Sequence, residues 1–449
     1  MDIPSFVHTL EVYLTGSVYL TYIIIIGILC SIALRFAQVR YFGKALKQIF
    51  TPEPTAGIAE GKAEVTPIQA FLNTLNANFG NGAVVGPAVA VFAGGPGALA
   101  WYLIIGVLLM AIRYSEVYLS IYFGSKASPE HIKTGLGGPM LYLLNVPAGR
   151  FLSYVYAFFG FAMCIILGCG FQANSISTSL ETTWSVPQLA TAIFLLVFVV
   201  YVMLGGAHRV AQVSEKIVPF KVGLFLLATF AVLVYNYQAL WSSLVLIFTS
   251  GLGLKAFTGG AMGFTLQQAM SAGVQRSIMA SEAGLGSAAI MFGATSSKSP
   301  VKDSMLAMVG TFISIILCFI MGLSIVASGV WNSGAQGTTL AIQAFSSVFG
   351  IYGGWVISIL AATLGLGVLA AYVYIFRELF LFLTGGRFAF LLPIIYGFFT
   401  FGGALVSLGF VIDCGDIAMA LMVIINLFAI AYLLPVIRKG FLEFEKTGK

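Results

Sequence analysis

TLNANFGNGAVVGPAVAVFAGGPG, residues Thr74–Gly97, lies where a membrane-spanning helix is expected, but polar and helix-breaking residues interrupt it. These residues are Asn76, Asn78, Gly80, Asn81, Gly82, Gly86 and Pro87. An unpaired backbone group in hydrocarbon costs several kcal/mol, so unwound backbone at membrane depth is tolerated only where it lines a cavity or contacts a solute. A glycine-rich packing face is the alternative, but such a face does not need three asparagines. The stretch therefore predicts a broken helix that forms the binding site of a transporter.

The composition of the chain is that of a membrane protein. Of its 449 residues 59% are hydrophobic and 8% are charged, and the mean hydropathy is +0.99, whereas soluble domains carry about 25% charged residues. Residues 1–16 lack the basic start and the cleavage site of a signal peptide. The five cysteines and three histidines show no metal-ligand spacing, and neither a catalytic cluster nor a basic block is visible. An enzyme, a metal cofactor and a nucleic-acid partner are therefore not expected.

Apolar stretches of bilayer-spanning length predict an all-α polytopic membrane protein with about eleven transmembrane helices. The predicted spans are 18–37, 67–92, 97–123, 149–180, 187–204, 212–238, 257–279, 301–331, 341–383, 388–411 and 415–437. The segment 281–297 is predicted to continue the seventh span as a small-residue helix or loop.

Lysine and arginine positions predict the orientation, because cytoplasmic loops carry an excess of both. Residues 1–17 contain neither, whereas the next loop is basic. With eleven spans, all 22 basic residues except Lys221 and Lys255 fall on the inner side, Arg276 included, and Asp416 falls outside. The protein is therefore expected in the plasma (inner) membrane, with its N-terminus outside and its C-terminus in the cytoplasm.

The seventh span, 257–279, is interrupted by glycines and glutamines much as the second is. Five helices per half make two halves that are inverted relative to each other, and paired broken helices at matching positions indicate a transporter's binding site. The domain prediction is an accessory helix with a cytoplasmic loop at 1–66, a first repeat at 67–238, a second repeat at 239–437 and a cytoplasmic tail at 438–449.

Five further motifs follow one another along the chain. They are GGPGALAW (94–101), GFQANSIS (170–177), GGAHRVAQVSEKIVPF (205–220), ASEAGLGSA (280–288) and DIAMALMVIIN (416–426). In this order they resemble the alanine or glycine:cation symporter family, sodium-coupled carriers of the amino acid–polyamine–cation superfamily. The resemblance covers residues from about 66 to 430. It implies a five-plus-five inverted-repeat core with one accessory helix, and a small neutral amino acid as the substrate.

Two departures from the family concern the coupling cation. The resemblance implies a pair of threonines on the ninth helix that helps to ligate sodium, but this chain has Gly367 and Val368 there, with Thr363 one turn away. Lys221 lies within the sixth span, where the family has an apolar residue. A charge inside a span is costly and indicates function. We expect the Lys221 ammonium to replace the sodium and to bond carbonyls of residues 80–85; snorkelling to the cytoplasm is the alternative.

The candidate substrate-binding residues lie in the two broken helices and between them. Backbone N–H groups of Gly80, Asn81 and Gly82, at the start of a half-helix, suit a carboxylate. Gln172 matches a family position that faces the substrate, with an interhelical hydrogen bond as the alternative. One face of the seventh span is also expected to line the site, through some of Phe264, Thr265, Gln267 and Gln268.

Charged residues supply the remaining candidates. Arg276 and Glu282 are predicted to form a gating or structural pair, and Arg113 and Glu116 a structural ion pair on one helical face. Asp416 is predicted to cap the N-terminus of the last helix. The candidates for the coupling ion or the gate are Lys221, Thr363, Gly367, Glu282 and Arg276.

Together these features predict a secondary active transporter of a small neutral amino acid such as alanine or glycine, coupled to protons or sodium-independent through Lys221. One alternative keeps sodium coupling through Thr363 and backbone carbonyls, with a bound sodium ion as the one candidate cofactor. The other is a channel or a non-transporting membrane subunit, although no repeated filter loop is visible. The expected partners are the amino acid, a proton or sodium ion, and the lipid bilayer.

Overall fold

The computed structural model of this chain is helical. It describes residues 7, 9–10, 13–50, 65–125, 137–253, 266–293, 295, 299–406 and 408–447, the side chains of 408–413 excepted. The helices are α1 Ser17–Ala33, α2 Ala37–Arg40, α3 Phe42–Phe50, α4 Pro67–Asn78, α5 Gly82–Gly94, α6 Ala98–Gly124, α7 Pro139–Tyr142, α8 Gly149–Met163, α9 Gln172–Trp184, α10 Gln188–Leu204, α11 Gly206–Tyr235, α12 Tyr237–Gly251, α13 Leu266–Ser281, α14 Ser287–Gly293, α15 Pro300–Ala327, α16 Gly337–Phe349, α17 Gly353–Thr384, α18 Leu392–Gly403, α19 Leu408–Tyr432 and α20 Leu434–Thr447. A π-helical segment, Cys164–Phe171, joins α8 to α9.

The described helices confirm the all-α polytopic class. Six helical stretches are long and apolar enough to cross a membrane, and four further apolar helices are shorter. The count of eleven spans stays a prediction. The continuous helix predicted over 341–383 is wrong, because α16 and α17 are separated by a 3₁₀ turn in which Gly350 has φ +57°, a value that favours glycine.

The centre of the bundle is formed by α6 and α15, which pack along each other. In an apolar 18-residue stretch of each helix, 72% of the residues of α6 and 78% of those of α15 are buried, compared with 39% in α11. Both broken helices pack against this pair. In contrast, α10 exposes large apolar side chains such as Phe194 and Val197, as expected for a helix that faces lipid.

The end of α1 and the C-terminal helix α20 lie at the same end of the bundle. Glu445 of α20 accepts hydrogen bonds from Arg40 at 2.8 Å, from Arg35 at 3.2 Å and from the Tyr41 hydroxyl at 3.2 Å. These contacts join the first loop to the C-terminal segment.

Candidate functional site

The break in the second span separates α4 from α5. Thr66 begins α4 with a capping box, in which its hydroxyl accepts from the Gln69 N–H and the Gln69 side chain accepts from the Thr66 N–H. The helix ends at Asn78, and Phe79 leaves the helical region with ψ +71°. Asn76 donates to the Ser214 hydroxyl at 2.9 Å and Asn78 to the Ser281 carbonyl at 2.8 Å. Two of the asparagines therefore join the break to neighbouring elements.

Lys221 of α11 points into this break. Its residue is fully buried, and Nζ donates to the Asn76 carbonyl at 2.9 Å and the Phe79 carbonyl at 2.6 Å. Snorkelling is thereby excluded in this conformation. The expectation of carbonyls in 80–85 is wrong, because unpaired carbonyls and the negative end of the helix dipole lie at the C-terminus of α4, not at the start of α5.

Gly367 of α17 lies against the same ammonium. A Cβ added to Gly367 would overlap Asn76 Oδ1 and would lie 2.7 Å from Lys221 Nζ. The missing side chain at this position thus makes room for the lysine. Nζ occupies the carbonyls, and Gly367 and Val368 offer no side-chain oxygen, so the residues present here do not fit a sodium ion.

Thr363 lies about one turn from Gly367 on the same helix. Its hydroxyl donates to the carbonyls of Ile359 and Leu360, at 2.9 and 3.0 Å. The hydroxyl is therefore bound to its own helix and is not directed to the Lys221 position.

A second break that the structure describes lies between α13 and α14, at residues 282–286. Of the predicted broken span 257–279, the part 266–279 is continuous helix, and residues 257–265 lie outside the described residues. The backbone of the break at 282–286 needs special conformations: Gly284 and Gly286 have φ +90° and +85°, and Glu282 has φ +53°. Positive φ at Glu282 is uncommon for a residue with a side chain and is a form of strain found at functional sites. The prediction that 281–297 continues the seventh span is confirmed by α14 over the part that the structure describes.

A buried network on α6 replaces the hydrogen bonds lost at the second break. Glu116 Oε2 accepts from the N–H groups of Gly284 and Gly286, at 3.2 and 3.1 Å. Its Oε1 accepts from Arg113 at 2.7 Å, which confirms the predicted ion pair. Arg113 also donates to the Ser281 carbonyl. Backbone groups in hydrocarbon must be satisfied internally, and this pair satisfies them.

A small cavity lies where the two breaks meet. Its lining residues are Ala77, Asn78, Gly80, Gly82, Leu167, Phe171, Gln172, Met279, Glu282, Val368, Tyr372 and Met419. The space open to the centre of a water molecule is about 30 Å³, which is room for two or three waters at roughly 10–15 Å³ each.

Two of the three predicted residues of the first break line this cavity. Gly80 and Gly82 line it, and within the described part of the chain their N–H groups make no hydrogen bond. The Asn81 N–H is already used, because it donates to Gln172 Oε1 at 3.2 Å. Gln172 lines the cavity and makes the interhelical hydrogen bond that was the alternative, and its contact with a substrate stays a prediction.

The predicted residues of the seventh span are placed differently. Gln267 and Gln268 are exposed in the first turn of α13 and do not line the cavity. Phe264 and Thr265 lie outside the described residues. The α13 side chain that does reach the cavity is Met279, about three helical turns further along.

The predicted pair of Arg276 and Glu282 is wrong. Arg276 pairs with Asp416 at 3.5 Å, whereas Glu282 accepts a hydrogen bond from the Tyr372 hydroxyl. Arg276 and Glu282 are six residues apart, so they face different sides of the chain. Asp416 does not cap its helix either, since α19 begins at Leu408.

The ion pair between Arg276 and Asp416 also contradicts the prediction that these two residues lie on opposite sides of the membrane. A second small cavity beside this pair shares Met419 with the first.

Eight of the twelve lining residues were not predicted as site residues, among them Asn78, Met279 and Tyr372. The sequence does indicate a site role for Asn78, because it is an amide in an apolar span. It gives no such indication for Tyr372 and Met279, because an aromatic residue or a methionine in a membrane helix usually serves packing.

Comparison with solved structures supports the transporter fold. A Na⁺-coupled sialic acid symporter, solved in a substrate-bound outward-open state, superimposes with a TM-score of 0.53 over 94% of this chain and 98% of that one. The sequences are 13% identical, so the likeness concerns the fold alone.

Comparison with known sequences places the chain in a family. A protein of Haemophilus influenzae described as an uncharacterized transporter is 31% identical over 97% of this chain and 95% of its own length. A sodium/alanine symporter, AgcS, of Methanococcus maripaludis is 29% identical over 100% of this chain and 99% of its own. The model of the sodium:alanine symporter family matches residues 2–449. The chain belongs to the sodium:alanine symporter family, and it is a multi-pass membrane transporter.

Proposed function

We propose that this protein is a secondary active transporter that carries a small neutral amino acid, such as alanine or glycine, through the cavity between its two breaks. In this proposal the repeats at 67–238 and 239–437 move relative to each other, so that the cavity opens alternately to the two sides. Coupling is to protons, or transport is sodium-independent, and it depends on Lys221. The observation that carries the proposal is the Lys221 ammonium on the carbonyls that end α4.

The cavity supports a small zwitterion as the substrate. The N–H groups of Gly80 and Gly82, which bond to no described residue, lie at the positive end of the α5 dipole, which suits a carboxylate. The remaining wall is largely apolar, with Val368, Met279 and Met419 among its residues. Because the open space holds only a few waters, a substrate with a short side chain fits better than a large one. The name of the AgcS relative also makes alanine the first compound to test.

The contacts of Lys221 support a coupling role. A charged ammonium donates two short hydrogen bonds and connects α11 to the end of α4. Loss of a proton would remove the charge and weaken both bonds, since hydrogen bonds of charged groups are roughly twice as strong as neutral ones. Protonation would then control how firmly the broken helix is attached to α11.

Uptake into proteoliposomes tests the function. Labelled alanine and glycine are supplied while a sodium gradient and a pH gradient are imposed separately, with potassium replacing sodium in the control. We expect accumulation or exchange of at least one of the two in the absence of sodium. Lys221→Met should abolish any stimulation by the pH gradient. Uptake that occurs only with sodium would refute the role of Lys221, and no uptake of either amino acid under any gradient would refute the proposed function.

A further inference from the structure

Glu282 places a carboxylate in the wall of the cavity. The residue is 5% exposed and lies where the seventh span unwinds. Its Oε1 accepts a hydrogen bond from Tyr372, whereas Oε2 is buried and has no hydrogen-bond partner among the described residues. The Ser287 hydroxyl lies near enough to this carboxylate to act as a weak donor, but it makes no hydrogen bond of ordinary geometry within the described part of the chain.

The other carboxylate at the second break shows what a structural role requires. Both oxygens of Glu116 are bonded, Oε1 to Arg113 and Oε2 to two backbone N–H groups and Asn426. Arg113 is committed to Glu116 and to the Ser281 carbonyl, and it affects Glu282 only at longer range. Leaving a buried carboxylate oxygen without a donor is costly. Glu282 Oε2 therefore has no hydrogen-bond donor of ordinary geometry among the residues that the structure describes.

The cavity has groups of opposite polarity on different residues. Within the described residues, the N–H groups of Gly80 and Gly82 and the Oε2 atom of Glu282 make no hydrogen bond. An α-amino acid has the matching pair, an acceptor carboxylate and a donor ammonium joined through one carbon. We propose that Glu282 Oε2 accepts a hydrogen bond from the α-ammonium of the transported amino acid, while Tyr372 holds the other oxygen. This inference rests on the proposed function and assigns the group that distinguishes amino acids from other small carboxylates.

Glu282→Gln tests the inference, because glutamine keeps the shape and removes the charge. Binding of L-alanine and of L-lactate, which has a hydroxyl in place of the ammonium, is measured by competition with labelled alanine on purified protein. The wild type should prefer alanine, and in the variant this preference should fall by about 10- to 100-fold, the range for hydrogen bonds to charged groups. Glu378→Gln is the matched control, since Glu378 is a buried carboxylate that does not line the cavity and pairs with Arg377. It should keep the wild-type preference.

Three results would overturn the inference. An unchanged preference for alanine in Glu282→Gln would show that the carboxylate does not contact the ammonium. An equal loss for alanine and lactate would show a structural role. If the Glu282→Gln variant regained the alanine affinity of the wild type at high sodium, Glu282 would hold a coupling cation instead. If Glu282→Gln does not purify, Glu282→Asp retracts the oxygen by one methylene, and the same fall in preference is expected, with an unchanged preference again a refutation. Alanine binding by the wild type separates these failures from a failure of the proposed function.

Discussion

Gly367 offers the sharpest test of the idea that Lys221 occupies the place of a cation. Gly367→Ser would place a Cβ 2.7 Å from Lys221 Nζ and into Asn76 Oδ1, so Nζ must leave the carbonyls of Asn76 and Phe79. Hydrogen bonds to charged groups contribute about 1.5–3 kcal/mol each, and two are lost. We therefore expect the variant to lose roughly 3–6 kcal/mol of stability in this conformation, seen as a fall in unfolding temperature in detergent and as lost uptake.

The double variant Lys221→Ala/Gly367→Ser tests the same contact from the other side. Removing the lysine clears the overlap with Nζ, so that only the flexible Asn76 side chain must shift. It leaves two carbonyls and a hydroxyl, which are the oxygen ligands that hard cations prefer. We expect the double variant to be more stable than the sum of the single variants by about 0.5–3 kcal/mol, the range for residues in contact. It should also become stabilised by sodium.

The control for both experiments is Gly223→Ser on α11. A Cβ at Gly223 would meet no atom within 4 Å, so this variant should behave as the wild type. The reasoning is refuted if Gly367→Ser is as stable and active as Gly223→Ser, or if the double variant shows purely additive effects.

Three further predictions concern the cavity, the ion pair and the orientation. Gly82→Ala should fold normally, because its Cβ would lie 3.8 Å from the nearest side chain, but it should bind substrate at least tenfold more weakly, because the Cβ would project beside the cavity. Gly80→Ala should instead lower the unfolding temperature, because its Cβ would overlap a valine of α17. Neutralising Arg276 or Asp416 alone should reduce uptake, and neutralising both should restore part of it, since a mostly buried charge is then no longer left unpaired; equal or additive losses would argue against a functional pair. A cysteine introduced by Lys446→Cys should react with a membrane-impermeant reagent only from the cytoplasmic side in sealed cells, and labelling from outside would reverse the predicted orientation.

The first break was predictable because its signal is local and chemical. Asn76 and Asn78 are amides in an apolar stretch, and each proves to donate a hydrogen bond to another element. Lys221 was predictable as a buried group for the same reason, since a charge in a span needs partners. The carbonyls that accept its hydrogen bonds were predicted in residues 80–85 and are those of Asn76 and Phe79, because the sequence does not show where the first half-helix ends.

The break at 282–286 was not located from the sequence, because glycine content is an ambiguous signal. Glycines also serve helix packing in membranes, and only the backbone shows that Gly284 and Gly286 adopt positive φ. The partners of Arg276 and Glu282 could not be predicted either. Asp416 and Tyr372 are far away in sequence, and nothing in the local pattern of either residue indicates a contact partner on another helix.

The transport cycle has different energetics if its cation is the Lys221 side chain and not a bound sodium ion. A sodium ion carried with a zwitterion would move one elementary charge, and a membrane potential of 100 mV would contribute about 2.3 kcal/mol to each cycle. In the proposed mechanism the Lys221 ammonium stays with the protein. Exchange of one amino acid for another would then be electrically silent, and the voltage would neither drive nor oppose it. Only a proton that leaves Nζ on the opposite side would make the cycle sensitive to voltage.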